Sequence, residues 1–153
     1  MRRGQYLEAS RILQSVYDRA QTASLPRQAA RALGTLGACQ FALHKYKVAL
    51  RSFLDARRLA EASGDSAMAA IVDANIASLY LETGEVDSAA EWTARSLRRI
   101  TGRDRAEQLP KLQIELAILR SRQGRMAEAR ALFRAGIAGA DRAGDLDLYA
   151  AGW

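Results

Sequence analysis

Apolar residues along this chain recur at separations of three and four, the spacing that gathers them into one stripe on the face of a helix. Stretches of this kind, parted by short polar or glycine-bearing breaks, predict helices over 5–22, 26–43, 45–63, 66–83, 86–101, 107–123, 126–143 and 146–153. Asp65 after Gly64 and Asp145 after Gly144 stand where a glycine ends one helix and an acidic side chain caps the next. Pro26 suits a first helical turn, whereas Pro110 would kink or delay the start of the helix placed at 107–123.

The pattern also repeats. Gly4, His44, Gly84 and Gly124 stand 40 residues apart, in the places read as turns between helices. Further columns keep that step: Ala9, Ala49, Ala89 and Ala129; Leu13, Phe53, Thr93 and Phe133; Val16, Ala56, Ser96 and Gly136. Upstream of each turn lie Leu36-Gly37, Ile76-Ala77 and Leu116-Ala117, with a looser column of Leu33, Asp73 and Gln113 that projects forward to Trp153. Small residues recur where helices must approach closely. One domain is therefore expected, with a half unit at 4–23, full units at about 26–63, 66–103 and 106–143, and the start of a further unit at 146–153. Both ends of such a stack would be open, so the chain is expected to be a segment of a longer protein or to associate with another copy through its ends.

Composition supports helix over strand. The 153 residues include 31 alanines and only 2 prolines, and the balance of 49% hydrophobic to 26% charged fits a globular chain of one ordinary domain. The 20 arginines and 3 lysines leave a net charge of +6. Arg95, Arg98, Arg99, Arg103 and Arg105 form the only cluster, with no aromatic residues interleaved for base stacking, so it reads as a solvated basic face and a nucleic-acid partner is not expected. Glu8, Ser10 and Arg11 interrupt any apolar segment after the basic start Met1-Arg2-Arg3, and no stretch approaches the roughly 20 apolar residues that span a membrane. The expected compartment is the cytoplasm, with no membrane partner.

Chemistry-bearing residues are sparse. Cys39 shares its column with Leu79 and Leu119, which makes it a core residue, and His44 takes the turn column, where histidine tolerates an unusual backbone angle. One histidine and one cysteine are too few for a closed zinc site, and neither a Ser/His/Asp set nor a glycine-rich phosphate loop can be assembled. No catalytic, cofactor-binding or metal-binding residue is assigned.

The columns resemble the tetratricopeptide repeat (TPR). The second full unit carries the resemblance best, with Ile76-Ala77, Tyr80, the turn Gly84, Ala89 and Ser96; Gln40 and His44 depart from the pattern in the first unit, and Arg120 in the third. A period of 40 is similar to the longer-helix subgroup of bacterial regulators, and the wording around Leu36–Leu43 and Asn75–Leu81 is similar to repeat arms joined to CHAT-type protease domains. The resemblance implies an all-α, right-handed solenoid of antiparallel helical hairpins. It also implies a non-catalytic scaffold that holds a peptide or protein segment in a concave groove lined by the first helix of each pair. By register those groove residues are Arg31, Gly34, Thr35, Ala38, Phe41 and Ala42; Ile71, Ala74, Asn75, Ser78, Leu81 and Glu82; and Lys111, Ile114, Glu115, Ile118, Ser121 and Arg122. Arg31, Asn75 and Lys111 fit a clamp on a terminal carboxylate, but Thr35 and Glu115 do not, which favours a mixed apolar and polar groove. The alternatives are an accessory to nucleic acid or to a transcription regulator, and the repeat arm of a CHAT-type protease.

Overall fold

A computed structural model describes residues 2–102 and 104–143. Seven helices occupy them: α1 (Arg3–Thr22), α2 (Pro26–Ala42), α3 (Tyr46–Ala62), α4 (Ser66–Glu82), α5 (Val86–Arg99), α6 (Asp104–Arg122) and α7 (Met126–Ala143). Sequential helices pack on one another, α2 with α3, α4 with α5 and α6 with α7 as hairpins, and the hairpins stack through α3–α4 and α5–α6. The result is an all-α solenoid, with α2 and α4 also in direct contact along one side.

The turns are set by backbone chemistry. Ser24, His44, Gly64, Gly84, Gly102 and Gly124 have positive φ. At five of these turns the amide after the left-handed residue donates to the carbonyl five residues back: Leu25 to Ala20, Lys45 to Gln40, Asp65 to Ala60, Glu85 to Tyr80 and Arg125 to Arg120. Those bonds satisfy carbonyls that a helix end leaves without partners. His44 holds φ at 59° with its Nδ1 2.8 Å from the Tyr46 hydroxyl, the turn role expected of it. Asp65 caps α4, its carboxylate accepting from the Met68 amide at 3.1 Å.

Two expectations need correction. Gly4 is not a turn residue but lies in the first turn of α1, because the helix starts at Arg3, with the Arg2 amide donating to the Gln5 side chain at 2.8 Å. The sixth helix starts at Asp104, ahead of the expected 107, and carries Pro110 inside it. Glycines make this possible: a Cβ on Gly139 would lie 2.8 Å from the Pro110 ring, and one on Gly136 would lie 3.1 Å from the Pro110 carbonyl oxygen. The proline therefore packs into a gap in α7, and tertiary contact carries the helix across it. The expected step of 40 holds for the left-handed turn residues His44, Gly84 and Gly124; within it such residues are 20 apart from Ser24 to Gly84, but Gly102 follows after 18 and Gly124 after 22. The segment expected at 146–153, with Asp145 and Trp153, lies outside the described residues.

Within hairpins, small residues face large ones. The Phe53 ring lies where a Cβ on Gly37 would approach to 2.7 Å. In the next hairpin the same columns hold Ala77 and Thr93, both buried. Of the alanine column Ala49, Ala89 and Ala129 are buried, while Ala9 in α1 is half-buried. Within the α4–α5 hairpin the Ser96 hydroxyl donates to the Ala70 carbonyl at 2.8 Å. An ion network also ties three successive helices: Arg57 of α3 reaches Asp73 of α4 at 2.8 Å, Arg99 of α5 reaches the other Asp73 oxygen at 3.0 Å, and both arginines pair with Glu61. The Trp92 ring has the Arg57 and Arg95 guanidiniums 5.2 and 4.6 Å from its centroid.

Candidate functional site

The face shared by α2 and α4 opens into a cleft of about 500 Å³ lined by Arg31, Gly34, Thr35 and Ala38 from α2 and by Asp65, Ala67, Met68, Ile71 and Asn75 at the start of α4. A second cleft of about 290 Å³ adjoins it across α4, lined by Ala67, Ala70, Ile71, Ala74 and Asn75, by Ser96, Ile100 and Thr101 of α5 and its end, and by Gln108 and Leu112 of α6. Ala67, Ile71 and Asn75 border both, so they form a ridge between two depressions. Ile71 is 53% exposed, unusual for a large aliphatic side chain surrounded by such relief.

The helical spacing of these residues explains the cleft. Arg31, Thr35 and Ala38 in α2, and Ala67, Ile71 and Asn75 in α4, follow steps of three and four and fall on one face, while Leu33, Leu36, Val72 and Ile76 point into the core. Ala and Gly at positions 34, 38, 67 and 74 leave room between the helices. Ser78 and Glu82 continue the α4 face as exposed residues toward its C-terminus.

Other residues assigned to the groove are placed differently. Phe41 is half-buried, turned onto the core and tilted against the Tyr46 ring, with centroids 5.7 Å apart. Ile114 is only 3% exposed. It packs against α7, where a Cβ on Gly136 would meet its side chain at 2.7 Å, so the missing side chain at position 136 draws the isoleucine inward. Lys111, Glu115 and Ile118 are half-buried and Arg122 is exposed, and none of them borders either cleft. Burial raises the Glu115 carboxyl above the ordinary glutamate value. Lys111 lies 3.8 Å from Glu107.

Several lining residues escaped the sequence reading: Asp65, Ala67, Met68, Gln108 and Leu112. A cleft between two first helices has two walls, the outward face of one and the rearward face of the next. Only the outward face was projected, although Met68 and Gln108 are themselves 40 residues apart.

The basic cluster is partly ion-paired in three dimensions. Arg99 is held by Asp73 and Glu61, Arg95 pairs with Glu91 at 2.7 Å, and the Arg105 side chain donates to the Ile100 carbonyl at 3.2 Å. Arg98 is exposed, while Arg103 lies outside the described residues. Arg95 and Arg99 are thus paired with carboxylates, while Arg98 and Arg105 remain exposed on that face. Cys39 is buried, as its column implies, and burial raises its thiol above the ordinary value. Among the described residues no three of His, Cys, Asp and Glu are grouped to hold a metal ion, and no described helix is long and apolar enough to cross a membrane.

No protein-family model and no curated protein matches the sequence. Solved structures do match its fold. BtubC (BKLC) from P. vanneervenii superposes with a TM-score of 0.81 at 18% identity, over 92% of this chain and 59% of that one. The apo form of RapI gives 0.74 at 21% identity, over 92% of this chain and 50% of that one. Aspartyl phosphate phosphatase F from Bacillus subtilis gives 0.66 at 19%, over 95% and 43%. At these identities the likeness is one of fold, a TPR-like helical-repeat superhelix. The chain spans about half the length of each of these three structures.

Proposed function

We propose that the chain is a non-catalytic scaffold for protein–protein contact, holding a peptide or protein segment along the face of α2 and α4 and onward over α6. The observation that carries this reading is the pair of adjoining clefts divided by the exposed Ile71 and by Asn75. Depressions of about 500 and 290 Å³ suit individual side chains of an extended segment, with apolar contact at Ile71 and an amide at Asn75 suited to main-chain groups. The internal pairing of Arg95, Arg99 and Arg105 weighs against a nucleic-acid partner, since cations already matched by carboxylates or carbonyls offer less to phosphates. We further propose a cytoplasmic setting and a place within a larger bacterial protein; the second is supported by the match to about half of BtubC and of RapI.

Peptides selected from a random display library on the intact chain test the reading. Ile71→Asp should weaken the selected peptides about tenfold or more, since burying a side chain of this size contributes roughly 1.5–3 kcal/mol. Arg58→Ala, on the exposed side of α3, should leave affinity unchanged. Equal affinity for Ile71→Asp and the parent chain would remove the cleft as the binding surface.

A further inference from the structure

The floor of the α2–α4 cleft contains an acceptor with no hydrogen-bond donor. Asp65 uses Oδ1 to cap α4, accepting from the Met68 amide at 3.1 Å. Its second oxygen, Oδ2, is buried and accepts no hydrogen bond, although its side chain is only 10% exposed and lines the cleft. The nearest cation is Arg31, whose Nη2 lies 3.9 Å away, too far for a hydrogen bond. The Arg31 side chain is 72% exposed, so it leans across the opening from the solvent side rather than filling the site. A buried carboxylate oxygen left in this condition is costly, and such atoms are normally matched by a donor.

We infer that this end of the cleft takes a Lys or Arg side chain of the bound segment, whose charged head donates to Asp65 Oδ2. The inference rests on the reading of the cleft as a peptide groove and specifies what it selects. Ala67, Met68 and Ile71 supply an apolar wall for the aliphatic stem, the arrangement in which long cationic side chains bury their methylenes and keep the charge at one end. An ammonium or guanidinium at Oδ2 forms a charge-assisted bond, stronger than a neutral one and much stronger than the loose contact with Arg31. Arg31 then swings into solvent, where most of its side chain already lies. The chain's +6 charge opposes a cationic segment at long range, but salt at physiological strength screens it beyond about 8 Å. A carboxylate at this place would face Asp65 directly, which sets the site apart from a clamp for a chain terminus.

A positional-scanning library of N-acetylated, C-amidated hexapeptides, titrated against the intact chain by fluorescence polarisation, tests this. Lys or Arg at one position should bind about tenfold more tightly than norleucine there, a difference of about 1.4 kcal/mol. Asp65→Asn retains an oxygen acceptor for the Met68 amide and so the helix cap. It should fold with a near-parental melting temperature and reduce the basic-to-norleucine ratio to about twofold or less. Arg31→Ala, at an exposed side chain, should raise the affinity of the basic peptides by removing a competing cation. Selection of Asp or Glu at that position, a flat response there, or a basic preference that survives Asp65→Asn overturns the inference while peptide binding itself stands. A library in which no peptide binds overturns the inference and the groove reading together.

Discussion

Asp73 has no exposed surface, yet it carries a carboxyl group into the contact between hairpins. Burial raises that carboxyl above the ordinary aspartate value, while the Arg57 hydrogen bond and the charges of Arg57 and Arg99 pull it back. Asp73→Asn would leave two guanidiniums facing a neutral amide. We expect a loss of about 2–3 kcal/mol in chemical denaturation, less than the ~3–5 kcal/mol typical of breaking a fully buried pair. The discount reflects the partial exposure of both arginines, 19% and 29%, and the persistence of Glu61. Glu115 gives a pH prediction of definite sign. Its carboxyl is raised by burial, so the contribution to stability is fully present below the unfolded-state value of about 4.3 and is lost as pH rises through the raised folded value. Glu115→Gln should therefore raise the melting temperature relative to the parent at pH 7, and the difference should shrink as pH falls toward 4. A difference that is constant with pH would contradict it. Neither residue's environment was legible in the sequence. Asp73 interrupts a column otherwise occupied by Leu33 and Gln113, and nothing local to it announces that Arg57 and Arg99, 16 and 26 residues away, converge there. His44 and Cys39, by contrast, were legible because the repeat assigns each a column whose other members leave little doubt about its surroundings.

Helices are specified here by complementary columns rather than by conserved residue identity. Gly37 faces Phe53, Ile114 faces Gly136, and Gly34 lies under Met68, which a Cβ at position 34 would meet at 2.5 Å. Each hairpin thus reaches a filled interior by a different division of volume between its two helices, which is why Arg31, Thr35, Ala38, Ile71 and Asn75 line the cleft while Ile114 turns inward. Gly37→Ala gains about 1 kcal/mol of intrinsic helix propensity. It also forces a methyl group to within 2.7 Å of the Phe53 ring, and overpacking of this sort costs about 1–3 kcal/mol, so the variant should be destabilised on balance. Combining it with Phe53→Leu should be non-additive, with the double variant more stable than the sum of the two single losses predicts, because the smaller side chain makes room for the methyl group. Strict additivity in urea denaturation would show that the two positions do not share a volume. The alanine column gives the companion case. Ala89 is fully buried in a cluster with Leu116 and Leu119 of α6, and Ala89→Leu should cost about 1–3 kcal/mol; an unchanged melting temperature would contradict the register.

At the scale of the whole molecule, a stack of hairpins is held by contacts between neighbours, so its stability varies along its length. The joints are unequal in their chemistry. The large cluster containing Phe53, Val72 and Ile76 joins α2, α3 and α4, and the ion network centred on Asp73 joins α3, α4 and α5. The joint from α5 to α6 is built from smaller groupings: Ala89, Ala90, Leu116 and Leu119 in one, and Ala70, Ile100 and Leu112 in the other. It is also where the intervening turn is displaced within the 40-residue step, with α5 only 14 residues long and Gly102 18 rather than 20 residues after Gly84. That slip was invisible in the sequence because the columns on either side, Gly84 and Gly124, remain 40 apart; a displacement of the intervening turn cancels between them. The physical consequence is a weaker joint, across which the α6–α7 hairpin can open while α2–α5 remain folded. Native-state hydrogen exchange should then show amides of α6 and α7 opening together at a lower free energy than those of the α2–α5 core. Asp73→Asn should lower protection in α3, α4 and α5 together, because its partners lie on α3 and α5, and should leave the α6–α7 opening nearly unchanged. A single opening free energy shared by all the described helices, shifted uniformly by Asp73→Asn, would mean instead that the stack behaves as one cooperative unit and that the displaced turn carries no weakness.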